Sequence, residues 1–327
     1  MPDSRGIVAE PRWPDHWRGL AERMPPDPVL ELAATRGFVL TAAELAGLGI
    51  TRAAARTRTH HGTWTIAGHG YVAPTAAPTP RHAHALAATA AGRRRPADAI
   101  SGRSGAVLHG LPLMGVPDVP RLTVRDESLG RVRPAAAGCF TGWLANDEIT
   151  SWYGVAVATP SRTLVDLARH DRFDAIMAAD AAVRLGMATP ATIESALVRA
   201  VGWPGVRQAR EVLALADPLA ESPLESVTRL RLHDDGFPPP ELQCWIGGYR
   251  VDLCWPRFRL VLEVDGRVKY TAVGLDDDVL WREKQREHIV RQHGYRVERV
   301  IAQDVFAGWP RTSAYLRPIF RLPRRVG

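Results

Sequence analysis

The alternation of apolar and polar residues changes period several times along the chain, and each change predicts an element. VLELAATRG reads as a short helix stopped at Gly37. TAAELAGLG follows, with Thr41 and Glu44 at capping-box spacing. ITRAAARTRTHHG opens at Thr51, a favoured N-cap residue, and predicts a third helix. TWTIAGHGYVAP then alternates as a strand, a glycine turn and a strand. Pro74–Pro80 is a linker, and residues 81–110 predict two helices on either side of a break at Arg93–Arg95. VPRLTVRD, RVRPAA, GCFTGW and SWYGVAVATP alternate as short strands. Four helical runs close this middle region: SRTLVDLARH, RFDAIMAADAAVRLG, TPATIESALVRA and VRQAREVLALA.

The C-terminal third carries the strongest pattern. Ser222, Pro223 and Glu225 fit the N-cap, N1 and N3 positions of a helix, and Glu225 precedes Arg229 by four residues. Two apolar strands follow, Val251–Pro256 and Arg259–Asp265, with acids embedded in them. Residues two apart on a strand share a face, so Glu263 and Asp265 point the same way. If Arg257–Phe258 is a two-residue loop, Asp252 falls opposite Glu263 on that face. Three carboxylates on one face raise one another's pKa unless a cation lies among them. Magnesium takes oxygen ligands and works beside phosphate, which makes it the expected ion. The alternative is pairing with arginines such as Arg250 or Arg267, since an unpaired buried carboxylate costs several kcal/mol.

Charge sharpens that reading. The 327 residues hold 42 Lys and Arg against 35 Asp and Glu, a net charge of +7, which favours a polyanionic partner. The two lysines, Lys269 and Lys284, both lie within a helix-length of the carboxylates. A tunable ammonium there could orient a nucleophile or stabilise charge on phosphorus. The helix DDDVLWREKQREHIVRQHG otherwise reads as a charged, solvated face, with Glu283 second in interest to Lys284. From Arg311 onward the chain has five arginines and no acid, a candidate phosphate-contacting tail. In the N-terminal segment the third helix presents Arg52, Arg56 and Arg58, the first two one turn apart and able to meet phosphates or base edges.

Other chemistries are disfavoured. Cys139, Cys244 and Cys254 lack CxxC spacing, which argues against zinc and against a disulfide scaffold. His60, His61 and His69 are read as capping or solvated, and His109 as a core or capping histidine with no nucleophile near it. Asp166 is read as a helix-surface partner of Arg162 or Arg169, and the middle region as a scaffold without chemistry. The N-terminus lacks an apolar signal region and no apolar run approaches ~18 residues, so a cytoplasmic protein is expected.

SPLES, RVDLCWP, LEVDGRVKY, REKQRE and HGYRVERV, spread over residues 221–304, together resemble the PD-(D/E)XK nuclease superfamily, most closely its very-short-patch-repair-like branch. The resemblance implies a Mg²⁺-dependent endonuclease in which Glu225, Asp252 and Glu263 hold the metal. It also implies an assisting lysine two residues after Glu263. Asp265 stands there instead, so Lys269 or Lys284 would have to serve. Residues 29–74, with RSGAVLHGLPL and PSRTLVDLAR, resemble AbiEi-type antitoxins, which implies a winged helix on DNA and a toxin partner. The expected fold is therefore an α+β or α/β multidomain chain: an arm at 1–28, a winged helix-turn-helix at 29–74, a mixed connector at 75–218 and a PD-(D/E)XK core at 219–327. The resemblance implies two alternative functions: a DNA endonuclease for repair or phage defence, or an antitoxin-type regulator whose nuclease fold only grips DNA.

Overall fold

The computed structural model describes residues 27–124, 139–141, 143–266 and 277–321. It is a mixed α/β protein whose chain divides into two compact units. Among the described residues one holds 27–175 and 187–213, the other 176–186 and 214–321.

The first unit starts with α1 (Pro28–Thr35), whose first turn is capped by Asp27 Oδ1 accepting the Val29 N–H at 2.8 Å. Gly37 at φ +65 reverses the chain after it into β1 (Leu40–Thr41). Thr41 then caps α2 (Ala42–Gly47) reciprocally: its Oγ1 accepts the Glu44 N–H at 3.2 Å, and Glu44 accepts the Thr41 N–H at 2.7 Å. Thr51 caps α3 (Arg52–His60) with its side chain, and β2 (Thr65–Gly68) and β3 (Tyr71–Ala73) complete a three-stranded sheet in the order β1-β3-β2. These local expectations hold because a cap or a glycine turn is satisfied by neighbours in sequence.

The next helix, α4 (Pro80–Arg94), packs against that sheet through its C-terminal turn. Arg93 donates to the Val39 carbonyl, pairs with Glu44 at 2.7 Å and lies 5.3 Å from the Tyr71 ring centroid. Beyond it come β4 (Ala99–Ile100), α5 (Gly102–Leu108), β5 (Leu122–Val124), β6 (Cys139–Thr141), β7 (Ile149–Trp152) and β8 (Val155–Ala158). Their sheet runs β6-β5-β4-β8-β7. Glycine at 92 lets α4 lie against it: a Cβ there would meet Val155 Cγ1 at 2.2 Å and Ile100 Cδ1 at 3.1 Å. Gly92→Ala is therefore expected to destabilise the protein by about 1–3 kcal/mol from overpacking, more than the ~1 kcal/mol that alanine's helix preference returns. A urea-unfolding midpoint that rises for this variant would show that α4 is not so tightly seated.

Four helices complete the middle region: α6 (Pro160–Ala168), α7 (Arg172–Arg184), α8 (Pro190–Arg199) and α9 (Val206–Leu213). The reading of Asp166 as a surface residue is corrected here. Almost all of α6 is buried, and Asp166 is 14% exposed beneath Arg162 and Arg169. Arg162, 2% exposed, donates to Asp166 at 3.1 Å, to Glu148 at 3.0 Å and to the Trp143 carbonyl at 2.9 Å. An apolar helix that buries an arginine must supply such partners, because an unpaired interior charge is too costly. His109 Nε2 donates to the Ala158 carbonyl at 2.7 Å, in keeping with its core reading.

In the second unit α10 (Pro223–Asp234) is capped by Ser222, whose Oγ accepts the Glu225 N–H at 3.2 Å. Next come β9 (Glu241–Ile246), β10 (Tyr249–Trp255), β11 (Leu260–Asp265), α11 (Asp277–Gln292) and β12 (Arg296–Ile301), then α12 (Ala302–Val305) and α13 (Trp309–Leu316). The sheet order is β12-β11-β10-β9, antiparallel through β9, β10 and β11, with β12 parallel to β11. Arg229 pairs with Asp180 at 2.7 Å rather than with Glu225, since the long-range carboxylate is 1% exposed and needs the charge more. The expectation of a phosphate-contacting tail fails at Arg317. It is 6% exposed, lies over Phe237 at 5.2 Å and donates to the Asp235 carbonyl at 2.8 Å. Residues 1–26, the RVRPAA run, Lys269 and residues 322–327 lie outside the described residues. Among the described residues no helix is long and apolar enough to cross a membrane.

Candidate functional site

Strand β11 is apolar on both faces at its start and opens at its end. Leu260, Val261 and Leu262 are fully buried, whereas Glu263 and Asp265 are partly exposed. β10 pairs with it through Leu253↔Leu262, Cys254↔Val261 and Trp255↔Leu260, and continuing that register by one residue sets Asp252 across from Glu263. The expected face is thus formed. The turn, however, is longer than two residues: a 3₁₀ turn at Pro256–Phe258 is followed by Arg259 at φ 49, leaving the register unchanged.

Glu225 reaches the same neighbourhood from the first turn of α10. Its Oε2 accepts the Glu221 N–H at 3.0 Å and the Gln243 Nε2 donor at 3.1 Å. Burial raises its pKa, and the charges of Asp252 and Glu221 push the same way. Burial likewise raises Asp252, whose Oδ2 accepts the Val264 N–H at 2.9 Å. Burial raises Glu263 as well, opposed by Arg286 and reinforced by Asp252. Burial thus raises all three carboxyl groups, and the charge of Asp252 adds to the shift at Glu225 and Glu263.

Arginines that local spacing does not single out answer part of that demand. Arg286 on α11 donates to Glu263 Oε1 at 2.8 Å, and Arg299 on β12 donates to Oε2 at 3.3 Å. Arg299 also stands 4.0 Å from Asp265. The parallel register Glu263↔Arg299 brings the second of these together. Arg250, offered as a partner for the acids, instead pairs with Glu221 at 2.7 Å. Gln243, with φ 54, was missed too; no local pattern announces a strand residue held in the left-handed region. Lys284 is exposed on α11, while the Glu283 side chain lies outside the described residues. Among the described residues no three His, Cys, Asp or Glu side chains converge closely enough to hold a metal ion.

On α3 the geometry separates the three arginines. Arg52 and Arg56 are exposed, whereas Arg58 is half-buried with its guanidinium 4.9 Å from the Trp64 ring centroid. Of the histidines, His61 and His69 are exposed, as is His60 at the end of the helix. Cys254 is buried and Cys244 half-buried, both as free thiols.

No family model matches the chain. Two uncharacterized proteins of Mycobacterium tuberculosis, from strain CDC 1551 / Oshkosh and strain ATCC 25618 / H37Rv, are each 34% identical to it over 158 residues. The match spans 46% of this chain and 57% of each relative, just over half of their length.

Proposed function

We propose that this protein binds DNA and that its second unit is a Mg²⁺-dependent endonuclease of the PD-(D/E)XK type. The observation that carries the proposal is the facing pair Asp252 and Glu263 at the open end of β10 and β11, with Glu225 close enough for the charge of Asp252 to raise its pKa. The element order α10-β9-β10-β11-α11-β12, with three antiparallel strands and a parallel fourth, supports the same reading. Oxygen-only donors suit magnesium; Asp252 and Glu263, with Glu225 completing the set, would have to draw closer together than they stand to hold it. When bound, such an ion lowers the pKa of water and polarises a phosphodiester. Glu263, which accepts from Arg286 and Arg299, would have to be released to serve as a ligand, and those guanidinium groups would then be available to phosphate oxygens. Lys284, exposed two residues before Arg286 on α11, and Lys269 are the candidate amines that the resemblance offers.

A second reading is favoured by the same arginines. With both Glu263 oxygens already engaged and Asp265 at the usual lysine position, the fold would grip DNA without cutting it, as in an antitoxin-type regulator with a toxin partner. Plasmid nicking with and without Mg²⁺ decides between them: cleavage that needs the ion supports the enzyme, and its absence on duplex, mismatched and single-stranded substrates supports the regulator.

DNA binding is common to both. The order α1-β1-α2-α3-β2-β3, with β1 joining the hairpin, supports a winged helix whose α3 offers Arg52 and Arg56. Replacing both by alanine is expected to weaken duplex binding and to reduce the slope of log affinity against log salt by about 2, one per phosphate contact. Fluorescence anisotropy across a salt series measures this. A slope unchanged by the double substitution would remove α3 from the interface.

A further inference from the structure

The first unit holds a cavity of about 560 Å³ that neither the α3 arginines nor the carboxylate face uses. That volume lies within the ~300–1,000 Å³ typical of small-molecule sites. Its walls come from α6, the start of α7, the segment around Ser101 and Thr123, and Trp203 and Pro204 before α9.

Four arginines line the cavity: Arg103, Arg121, Arg162 and Arg169. The carboxylates beside them are already committed. Asp171 Oδ1 accepts the N–H groups of Phe173 at 2.9 Å and Asp174 at 3.0 Å, capping the first turn of α7. Asp174 accepts the Met114 N–H at 2.7 Å and pairs with Arg103. Asp166 is divided between Arg162 at 3.1 Å and Arg169 at 3.8 Å. Acceptors are thus consumed by backbone and by structural arginines, and Arg169 keeps only a long share of one carboxylate, with its Nε on the Pro204 carbonyl at 2.7 Å.

The lining sets four arginines beside Asp166, Asp171 and Asp174. Burial lowers the pKa of Arg169; the charge of Asp166 opposes this, and the charge of Arg162 adds to it more weakly. Burial lowers His170 as well, helped by Arg169. Flat surfaces complete the lining. The Trp203 ring centroid lies 4.5 Å from Arg162 Cζ and 4.9 Å from Arg169 Cζ, which orients both forks, and Trp143 is 50% exposed. Guanidinium forks recognise phosphate through paired hydrogen bonds, and an open indole stacks on a planar base.

We infer that this cavity binds a mononucleotide, its phosphate held by Arg169 and its base stacked on Trp143. The nucleotide can be a free molecule or the phosphorylated end of a strand. Isothermal titration of the full chain with the four deoxynucleoside 5′-monophosphates, and with a short 5′-phosphorylated single strand, separates these sources. Saturable binding of a monophosphate supports the free ligand. Binding of the strand alone, lost when its 5′-phosphate is removed, supports the strand end.

In either case Arg169→Lys, which keeps the charge but loses the fork, is expected to raise Kd at least ~10-fold. Trp143→Ala, at a half-exposed side chain, is expected to weaken binding with the melting temperature unchanged. The Arg52→Ala/Arg56→Ala protein should bind the monophosphates as the wild type does, which separates this site from the α3 surface. Binding weaker than about 1 mM for every probe, or affinity untouched by both cavity substitutions, would overturn the assignment.

Discussion

On the endonuclease reading, Asp252→Ala is expected to abolish Mg²⁺-dependent nicking while leaving DNA affinity in place. Loss of an outer-sphere partner typically costs 10–100-fold in metal affinity or activity, so loss of a ligand should cost at least ~100-fold. The accompanying effect on stability distinguishes function from architecture. Asp252 is held only partly exposed, its pKa is raised by burial, and it raises both Glu225 and Glu263. Removing that charge relieves repulsion, and Asp252→Asn preserves an oxygen to accept the Val264 N–H. The asparagine variant should therefore be inactive yet melt no lower than wild type, as residues retained for activity often do. An Asp252→Asn protein that unfolds several degrees early would assign the carboxylate a structural role. One that nicks DNA at the wild-type rate would remove it from catalysis.

The largest effect on folding is expected at Arg162. Its alanine variant leaves Glu148 and Asp166 without their shared cation and the Trp143 carbonyl without a donor, all around a side chain that is 2% exposed. Breaking a buried pair from one side costs about 3–5 kcal/mol, because Glu148 loses its arginine in the interior and Asp166 keeps only Arg169 at 3.8 Å. Urea unfolding of Arg162→Ala should show this loss. Adding Glu148→Gln and Asp166→Asn should restore part of it by removing the stranded charges. The control is Arg207→Ala, whose partner Glu211 is also on the surface and whose side chain is 94% exposed; no measurable change is expected there. If the neutralising substitutions deepen the loss instead, the network is held by packing around Arg162 and Trp203 rather than by charge.

What these experiments probe was unevenly written in the chain. The Thr41 and Glu44 cap, the Thr51 cap, the reversal at Gly37 and the Ser222 start of α10 were all legible, because each is closed by groups within a few residues. The facing of Asp252 and Glu263 was legible for a related reason. The short connection centred on Arg257–Phe258 sets the register, which puts Leu253 opposite Leu262 and the two acids next along.

Tertiary structure decided where the charges went. Arg229, spaced for Glu225, found Asp180, and Glu263 took Arg286 from a helix and Arg299 from a parallel strand. Arg162 and Asp166, spaced as a surface pair, ended inside with Glu148. Arginines from separate elements enclosed a cavity where the sequence pattern had suggested only scaffold. Short-range backbone geometry limits which residues can cap a turn or share a face. A long, flexible guanidinium goes to whichever buried carboxylate most needs its charge, and burial is known only once distant segments have packed.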